Sequence, residues 1–500
     1  MRKISIVVRR YLALSNVFLS YGFSFLRHAV WGKGALVIDP PALRKTLEAL
    51  GGSFLKFGQL AAVRPDYFPQ EYCREFLKLL DEVPPMPAHL LDKIFLQEFG
   101  RVPEEIFASF SRAPLAAASF GQVHEARLVE GSKVAVKIQR PFAAEEFSAD
   151  ARLFSFLGWL ISKMGIVKAI DPARAMQEFV TWTWRELDYR KEAEHLRCLR
   201  AIALENKFPI RIPDVFPDYS TSRVLTMEFV EGESLKRYWA AGKLLPEGDI
   251  FFRNLTFFEL YSFLFEGFFH ADPHPANIFV SPHGDPGMMD AGLIAEISVS
   301  DRKRMGRFLR AVAKEDLDDS LAMFLQMVRA PILEILGEAK ERYPRHWLKF
   351  QFMKSIFIGK IKTGLEDLLT RWHSASKEGG SLEERSPIHK MMELVALAER
   401  SGIRVPDASV IFIRTFFSID VAALELAPEF NIPETIKDFF RVYERAFALL
   451  EQEPDEVLAH HLPELDGEWA ESIREAERER AVVLRELMRE RASAMMEALE

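Results

Sequence analysis

Two hydrophobic rhythms alternate along the chain. Between residues 40 and 110 apolar positions recur at helical spacing and prolines interrupt them. Leu43, Leu47, Leu50 and Phe54 trace one stripe, Pro65 and Pro69 end the next run, and Pro84 to Pro87 precede a helix closed by Gly100. From about Leu115 the period drops to two. "SFGQVHEARL" alternates, Glu130-Gly131 reads as a turn, and "KVAVKIQ" alternates again, which predicts an antiparallel hairpin. A helical region is expected from about Glu145 to Asn206. Two short strands are expected in "RIPDVFPDYSTSRVLTMEFVEG", the second ending at Gly232. Helices follow in "SLKRYW" and "FRNLTFFELYSFLFEGFF", then a loop and short strands around the turn His283-Gly284-Asp285. Beyond Ser300 only helices are predicted, with a Gly-, Ser- and charge-rich break from Ser374 to Pro387. In the charged tail, Trp469, Ile473, Leu484 and Leu487 form a thin apolar stripe suited to docking on the body or on a partner helix.

A chain of 500 residues exceeds what one hydrophobic core usually holds. The pattern divides into an N-terminal helix at 1–35, a helical extension at 36–110, a strand-rich lobe at 111–232, a helical lobe at 233–450 and a charged tail at 451–500. Residues Tyr11 to Leu26 are uncharged and flanked by Arg9, Arg10 and Arg27, but fall short of the roughly 20 residues a span needs. An interfacial helix and a helix packed on the protein's own surface both remain open. The net charge of −8 argues against a nucleic-acid partner. Two cysteines, Cys73 and Cys198, form no disulfide framework, and a reducing cytoplasmic setting is expected.

Candidate chemistry begins at "LAAASFGQV". A phosphate-binding loop uses glycine so that backbone N–H groups approach without a Cβ in the way. Here Ala116 and Ala118 stand at the first two glycine positions and Gly121 at the last, with Ala117, Ser119 and Val123 in the same loop. Lys137 follows in a predicted strand, the order in which a kinase covers and grips phosphates. Downstream, Asp272 and Asn277 stand in the spacing D-x-x-x-x-N, and Asp290 opens the triplet "DAG". A hard cation such as Mg²⁺ wants oxygen ligands, which Asn277 and Asp290 supply, while Asp272 is the candidate base. Each residue alone is an ordinary turn or surface position; the ordered set is not. The strand to Gly232 sits where two lobes would join, so backbone groups of Glu228 to Val230 are expected to meet the adenine of ATP. An acidic partner for Lys137 is expected among Glu186, Asp188, Glu192 and Glu194, with Asp188 and Glu192 on one helical face and Glu192 the chosen partner.

These motifs, with "FLKFGQLAAVRPDYFP", "ELDYRKEAE" and "HADPHPANIF", resemble the UbiB-type atypical kinases, kinase-like ATPases tied to ubiquinone and related isoprenoid lipids. The resemblance runs from about residue 40 to 300, and Arg414 to Asn431 is similar to the family's C-terminal helical segment. It implies an α+β, bilobal, protein-kinase-like fold with an N-terminal Lys-x-Gly-Gln extension and a large helical C-terminal lobe. It implies ATP and Mg²⁺ as cofactors, and it places Lys56 and Gln59 of the extension over the site mouth, near Glu186 and Asp188. Such a lid disfavours protein substrates and favours ATP hydrolysis or action on a lipid-like molecule. The implied partners are a quinone-precursor lipid or membrane surface at the inner face, and quinone-biosynthesis enzymes. A nucleotide-binding scaffold without turnover and a phosphotransferase are the alternatives. His195 stands where the family usually has Asn, and the C-terminus lacks the spanning segments of some bacterial members.

Overall fold

The computed structural model describes residues 39–62, 70–80, 85–117, 119–164, 172–327, 359–371, 386–400 and 405–452. The N-terminal stretch Tyr11 to Leu26, Ala118, and Trp469 to Leu487 of the tail lie outside them. The fold is α+β and bilobal, kinase-like, with a small antiparallel sheet on one side and helices on the other.

Four strands build the sheet in the order β1 (Ser109–Ala117), β2 (Gly121–Arg127), β3 (Lys133–Gln139) and β4 (Val224–Glu228), each neighbour antiparallel. Alternation along β3 sorts its side chains to two faces. Val134, Val136 and Ile138 meet Leu91, Ile94 and Phe95 of helix Ala88–Phe99. Ala135 packs with Leu196 and Leu199 of helix Tyr189–Glu205, and Lys137 shares that face.

The extension folds as helices Pro40–Leu50 and Gly52–Ala62, separated at Gly51 and Gly52, both at positive φ. The predicted stripe is therefore carried by two helices: Leu47, Leu50 and Phe54 are buried with Phe76, Leu79, Phe147, Phe154 and Phe179. Gly58 lets Leu79 approach, since a Cβ there would collide with the Leu79 side chain.

Three elements differ from the sequence-based expectation. Strand β1 carries Arg112 and Pro114 on an exposed edge, so it shows no alternating signal. The helical region splits into Ala143–Met164, Pro172–Glu186 and Tyr189–Glu205, because Asp188 caps the last through its carboxylate and the Arg190 N–H at 3.2 Å. Asp188 and Glu192 thus do not share a continuous helical face. Residues 208–216 form no strand; they make only isolated bridges, Arg211 with Gly287 and Val215 with Met227, and β4 ends at Glu228.

In the helical lobe Phe252, Phe258, Phe263, Phe269, Phe308, Phe412 and Phe439 belong to one core. Hairpin Ile278–Val280 with Pro286–Met288, and pair Phe268–His270 with Ile294–Glu296, rise from it toward the sheet lobe. Helix Asp407–Leu426 supports the loop between them: Arg414 donates to Ala271 O at 3.2 Å and Thr415 to His270 O at 3.3 Å. Among the described residues no helix is long and apolar enough to cross a membrane.

Candidate functional site

The sheet lobe delivers a cation and one carboxylate, and the helical lobe delivers a second carboxylate. Lys137 Nζ donates to both carboxylate oxygens of Glu192, at 2.6 and 2.8 Å, and to Asp290 Oδ2 at 2.9 Å. The other Asp290 oxygen accepts the Gly292 N–H at 2.9 Å. Burial works against the Lys137 charge, but Asp290 and Glu192 outweigh it and hold the ammonium well above the ordinary lysine range. Two carboxylates face this one cation, and burial penalises both. Asp290, closest in charge to Lys137 and bonded to Gly292, stays ionised far below the usual range. Glu192, at the foot of its helix, is pushed up by burial to about 7.

Tyr189, beside Asp188 at the helix start, completes this face. Its buried ring lies 5.1 Å from Lys137 Nζ, a cation–π distance, and burial raises its hydroxyl pKa. Its hydroxyl occupies the place of a Gly121 side chain, and a Cβ there would also come 2.8 Å from Ile138 O. Glycine at the third loop position is thus demanded by packing. Ala116 pairs with Val123 and Ala117 with Gln122 across β1 and β2, and Ser119 is buried at the loop's exit. Ala118, between them, lies outside the described residues.

Asp272 and Asp290 are tied together through His270. The Asp272 N–H donates to His270 Nδ1 at 3.0 Å, so Nε2 carries the proton and donates to Asp290 O at 2.6 Å. Asn277 reaches back to Asp272 O through its amide at 3.5 Å, and its own carbonyl accepts from the Met289 N–H at 3.2 Å. That places Asn277 beside the residue preceding Asp290. An amide and a carboxylate at the two ends of the hairpin form an all-oxygen donor pair, which fits Mg²⁺ completed by phosphate and water oxygens. Among the described residues no cluster of three or more His, Cys, Asp or Glu is arranged for a metal.

The extension closes on this cluster. Lys56 donates to Glu186 at 2.8 Å; burial opposes its charge, and Glu186, Asp290 and Asp272 overcome that and raise it. Gln59 instead donates to Leu79 O at 3.0 Å, and Asp188 pairs with Arg190 at 2.8 Å. Of the four residues expected together at the mouth, Lys56 and Glu186 meet directly. At the lobe link, the Glu228 carboxylate turns to Arg211 at 2.8 Å, and its N–H donates to Asp214 O at 2.8 Å. The Phe229 N–H is committed to Lys133 O, and Val230 is buried. A cavity of about 540 Å³ between extension and sheet is lined by Leu55, Leu79, Met86, Ser119, Phe120 and Arg140; Lys137 and Asp290 are not in its walls.

Sequence reasoning did not single out His270 or Tyr189, nor find a role for His195. His195 donates from Nδ1 to Ala291 O at 2.8 Å, and burial holds its pKa down at about 4. Partners of this kind are backbone carbonyls fixed by loop conformation, and residue spacing carries no sign of them.

Residues 78–324 match the model of the ABC1 atypical kinase-like domain. The protein ACTIVITY OF BC1 COMPLEX KINASE 8, chloroplastic, of Arabidopsis thaliana is 29% identical over 79% of this chain and 53% of its own length. ACTIVITY OF BC1 COMPLEX KINASE 3, chloroplastic, of the same plant is 36% identical over 51% of this chain and 36% of its own length. The chain therefore spans about half, or less, of these two relatives. A solved structure of Rv3197 with erythromycin from Mycobacterium tuberculosis is 24% identical and covers 82% of this chain and 95% of that one, at a TM-score of 0.47.

Proposed function

The chain belongs to the ABC1 atypical kinase-like family, and from that premise we propose an ATP- and Mg²⁺-dependent kinase-like ATPase supporting the biosynthesis of ubiquinone or a related isoprenoid lipid. The observation that carries the reading is the half-buried Lys137, held by Glu192 from one lobe and facing Asp290 from the other. A permanent cation on a rigid strand binds phosphate oxygens, and the Glu192 pairing keeps its ammonium aimed at them. Asn277 and Asp290 hold Mg²⁺, which when bound neutralises charge on the phosphates. Asp272 takes the proton of the attacking hydroxyl or water, its loop fixed by His270. Lys56 is bonded to Glu186 and lies under the field of Asp290 and Asp272, which supports the reading of the extension as a lid over the side a peptide would use. That favours water or a small lipid-like acceptor, met by peripheral contact with a membrane.

Phosphate release and Mg·ATP-dependent thermal stabilisation test the reading. Asp290→Asn removes the metal-binding charge, so stabilisation by Mg·ATP, read as the rise above each protein's own nucleotide-free melting temperature, should shrink by most of its value. Equal stabilisation of both proteins would overturn the assignment. Phosphate release that is unchanged by Asp272→Asn would favour a binding scaffold over an enzyme.

A further inference from the structure

Two polar side chains buried in the middle of the sheet lobe touch neither phosphate nor metal residues. Gln122 and His124, on β2, are 1% and 0% exposed. Gln122 Oε1 accepts the Met86 N–H at 2.7 Å, in the segment leading from the extension into helix Ala88–Phe99. This fixes the amide, so Gln122 Nε2 faces His124 Nε2 at 2.7 Å and must donate to it. His124 Nε2 is then bare, and Nδ1–H donates to Ser111 O at 2.8 Å. Every donor meets an acceptor in a single direction, and only a neutral imidazole of one tautomer satisfies the chain.

The end of this chain is a strand irregularity. Phe110 pairs with Ala126 and Pro114 with His124, so Ser111, Arg112 and Ala113 face the single residue Glu125. A carbonyl inside such a bulge has no ladder partner, and His124 supplies one to Ser111. From the outer side Arg112, in the same bulge, pairs with Asp92 of helix Ala88–Phe99 and with Glu104, both at 2.6 Å. The bulge is thus held from both faces by the segment that carries the extension. Three residues further on, Ala116 and Ala117 pair with Val123 and Gln122 at the base of the phosphate loop.

We propose that Gln122 and His124 are positioning residues whose relay, from Met86 through the sheet to Ser111, couples the extension to the register in which β1 enters the phosphate loop. This rests on the nucleotide reading of that loop. Movement of the Met86 segment breaks one bond of the relay, which releases the bulge and shifts the loop's backbone relative to phosphate.

The relay's polarity provides a test that loss of packing alone cannot imitate. In Gln122→Glu one oxygen still accepts from Met86, but the other now requires a proton on His124 Nε2. Both ends are satisfied only by imidazolium, so the relay should work at low pH and fail at high pH. Burial is the main force against protonating His124, the bond to Ser111 O favours it, and Arg112, itself compensated by Asp92 and Glu104, adds to the opposition. Gln122→Leu removes both bonds at every pH. In the full chain, the Kd of a fluorescent ATP analogue is measured for wild type and both variants between pH 6 and 8.5. The expected Gln122→Leu loss is about threefold to tenfold, the worth of one or two hydrogen bonds, at all pH values. For Gln122→Glu the ratio to wild type should grow by a similar factor as pH rises. Hydrogen exchange of the segments 85–99 and 109–121 is followed in the same samples and should rise together in both variants at pH 8. A pH-independent ratio within twofold, or exchange rising in one segment alone, overturns the relay. Wild type that binds no nucleotide would overturn the phosphate reading instead, and coupled exchange would still decide the relay.

Discussion

Lys137 and Lys56 bring positive charge to the same acidic floor from opposite sides, and they are held in very different ways. Lys137 stands on β3, laddered by β2 on one edge and β4 on the other, with three bonds to two carboxylates. Lys56 stands on the 11-residue helix Gly52–Ala62 and is bonded to Glu186, with a side chain 21% exposed. A central strand cannot leave without breaking its ladder. A short helix held by side-chain contacts can open locally at much smaller cost. One cation is a fixture of the cluster and the other is held more weakly, the contrast that the proposed binding group and lid need.

The strongest way to break this comparison is at the fixture. Lys137→Met leaves the Glu192 and Asp290 carboxylates facing each other without a cation. Removing one preorganised charge contact to a transferring phosphoryl group typically costs about 10²–10³ in rate. Phosphate release should fall by that order. Unfolding stability should fall by about 3 kcal/mol, because a buried charge is left uncompensated. A variant that turns over ATP within tenfold of wild type would make Lys137 a structural ion-pair residue only.

A smaller effect of opposite sign is expected at the lid. The Lys56–Glu186 pair is partly exposed, so its worth is about 1 kcal/mol or less. Lys56→Ala, and equally Glu186→Gln, should raise phosphate release by up to about fivefold, the kinetic equivalent of that energy. Added salt should raise wild-type release in the same direction and the variants' less, since screening weakens the same contact. Release that falls in Lys56→Ala would turn the lid lysine into a phosphate ligand and abolish the contrast.

The fixture was easier to read in the sequence than the lid. Alternation in "VAVKI" assigns Val134, Val136 and Ile138 to one face and leaves Lys137 on the other, because a strand buried on both sides must sort its residues by parity. Asp272, Asn277 and Asp290 are visible as a set because their order and offsets follow a loop and a hairpin of fixed length. The kinase-like α+β class is what the family resemblance implies, and those two signals are part of what carries the resemblance. Other elements left no trace. Strand β1 sits on an edge with Arg112 and Pro114, where pairing depends on a bulge held by His124 and not on apolar alternation. The break at Leu187-Asp188 replaces a helical turn by a cap, and no proline or glycine announces it. For the same reason Asp188 does not share a helical face with Glu192; the resemblance implies it near Lys56, and it caps its own helix and pairs with Arg190.

A last effect, on stability and not on rate, concerns the helix that holds the fixture in place. Helix Tyr189–Glu205 presents Glu192 to Lys137 and, just under a turn later, His195 to Ala291 O, so one rigid element holds both the lysine and the loop after Asp290. Burial holds the His195 pKa down at about 4, against an ordinary value of 6.5. A histidine lowered in the folded state stays neutral there while the unfolded chain takes up a proton. Its contribution is therefore undiminished above pH 6.5 and is lost as pH falls toward 4. Between pH 7 and 5 the loss is about 2 kcal/mol. Glu192 acts with the opposite sign: burial raises it to about 7, so the folded state gains relative stability as pH falls through that range. His195→Asn keeps an N–H for Ala291 O and removes the titration, leaving the Glu192 contribution common to both proteins. Urea unfolding at pH 7 and pH 5 should show the wild type losing about 2 kcal/mol more than His195→Asn. A difference between the two proteins that does not change with pH would mean that His195 is reached by water and protonates in place, and that the fixed side of the site is looser than its hydrogen bonds suggest.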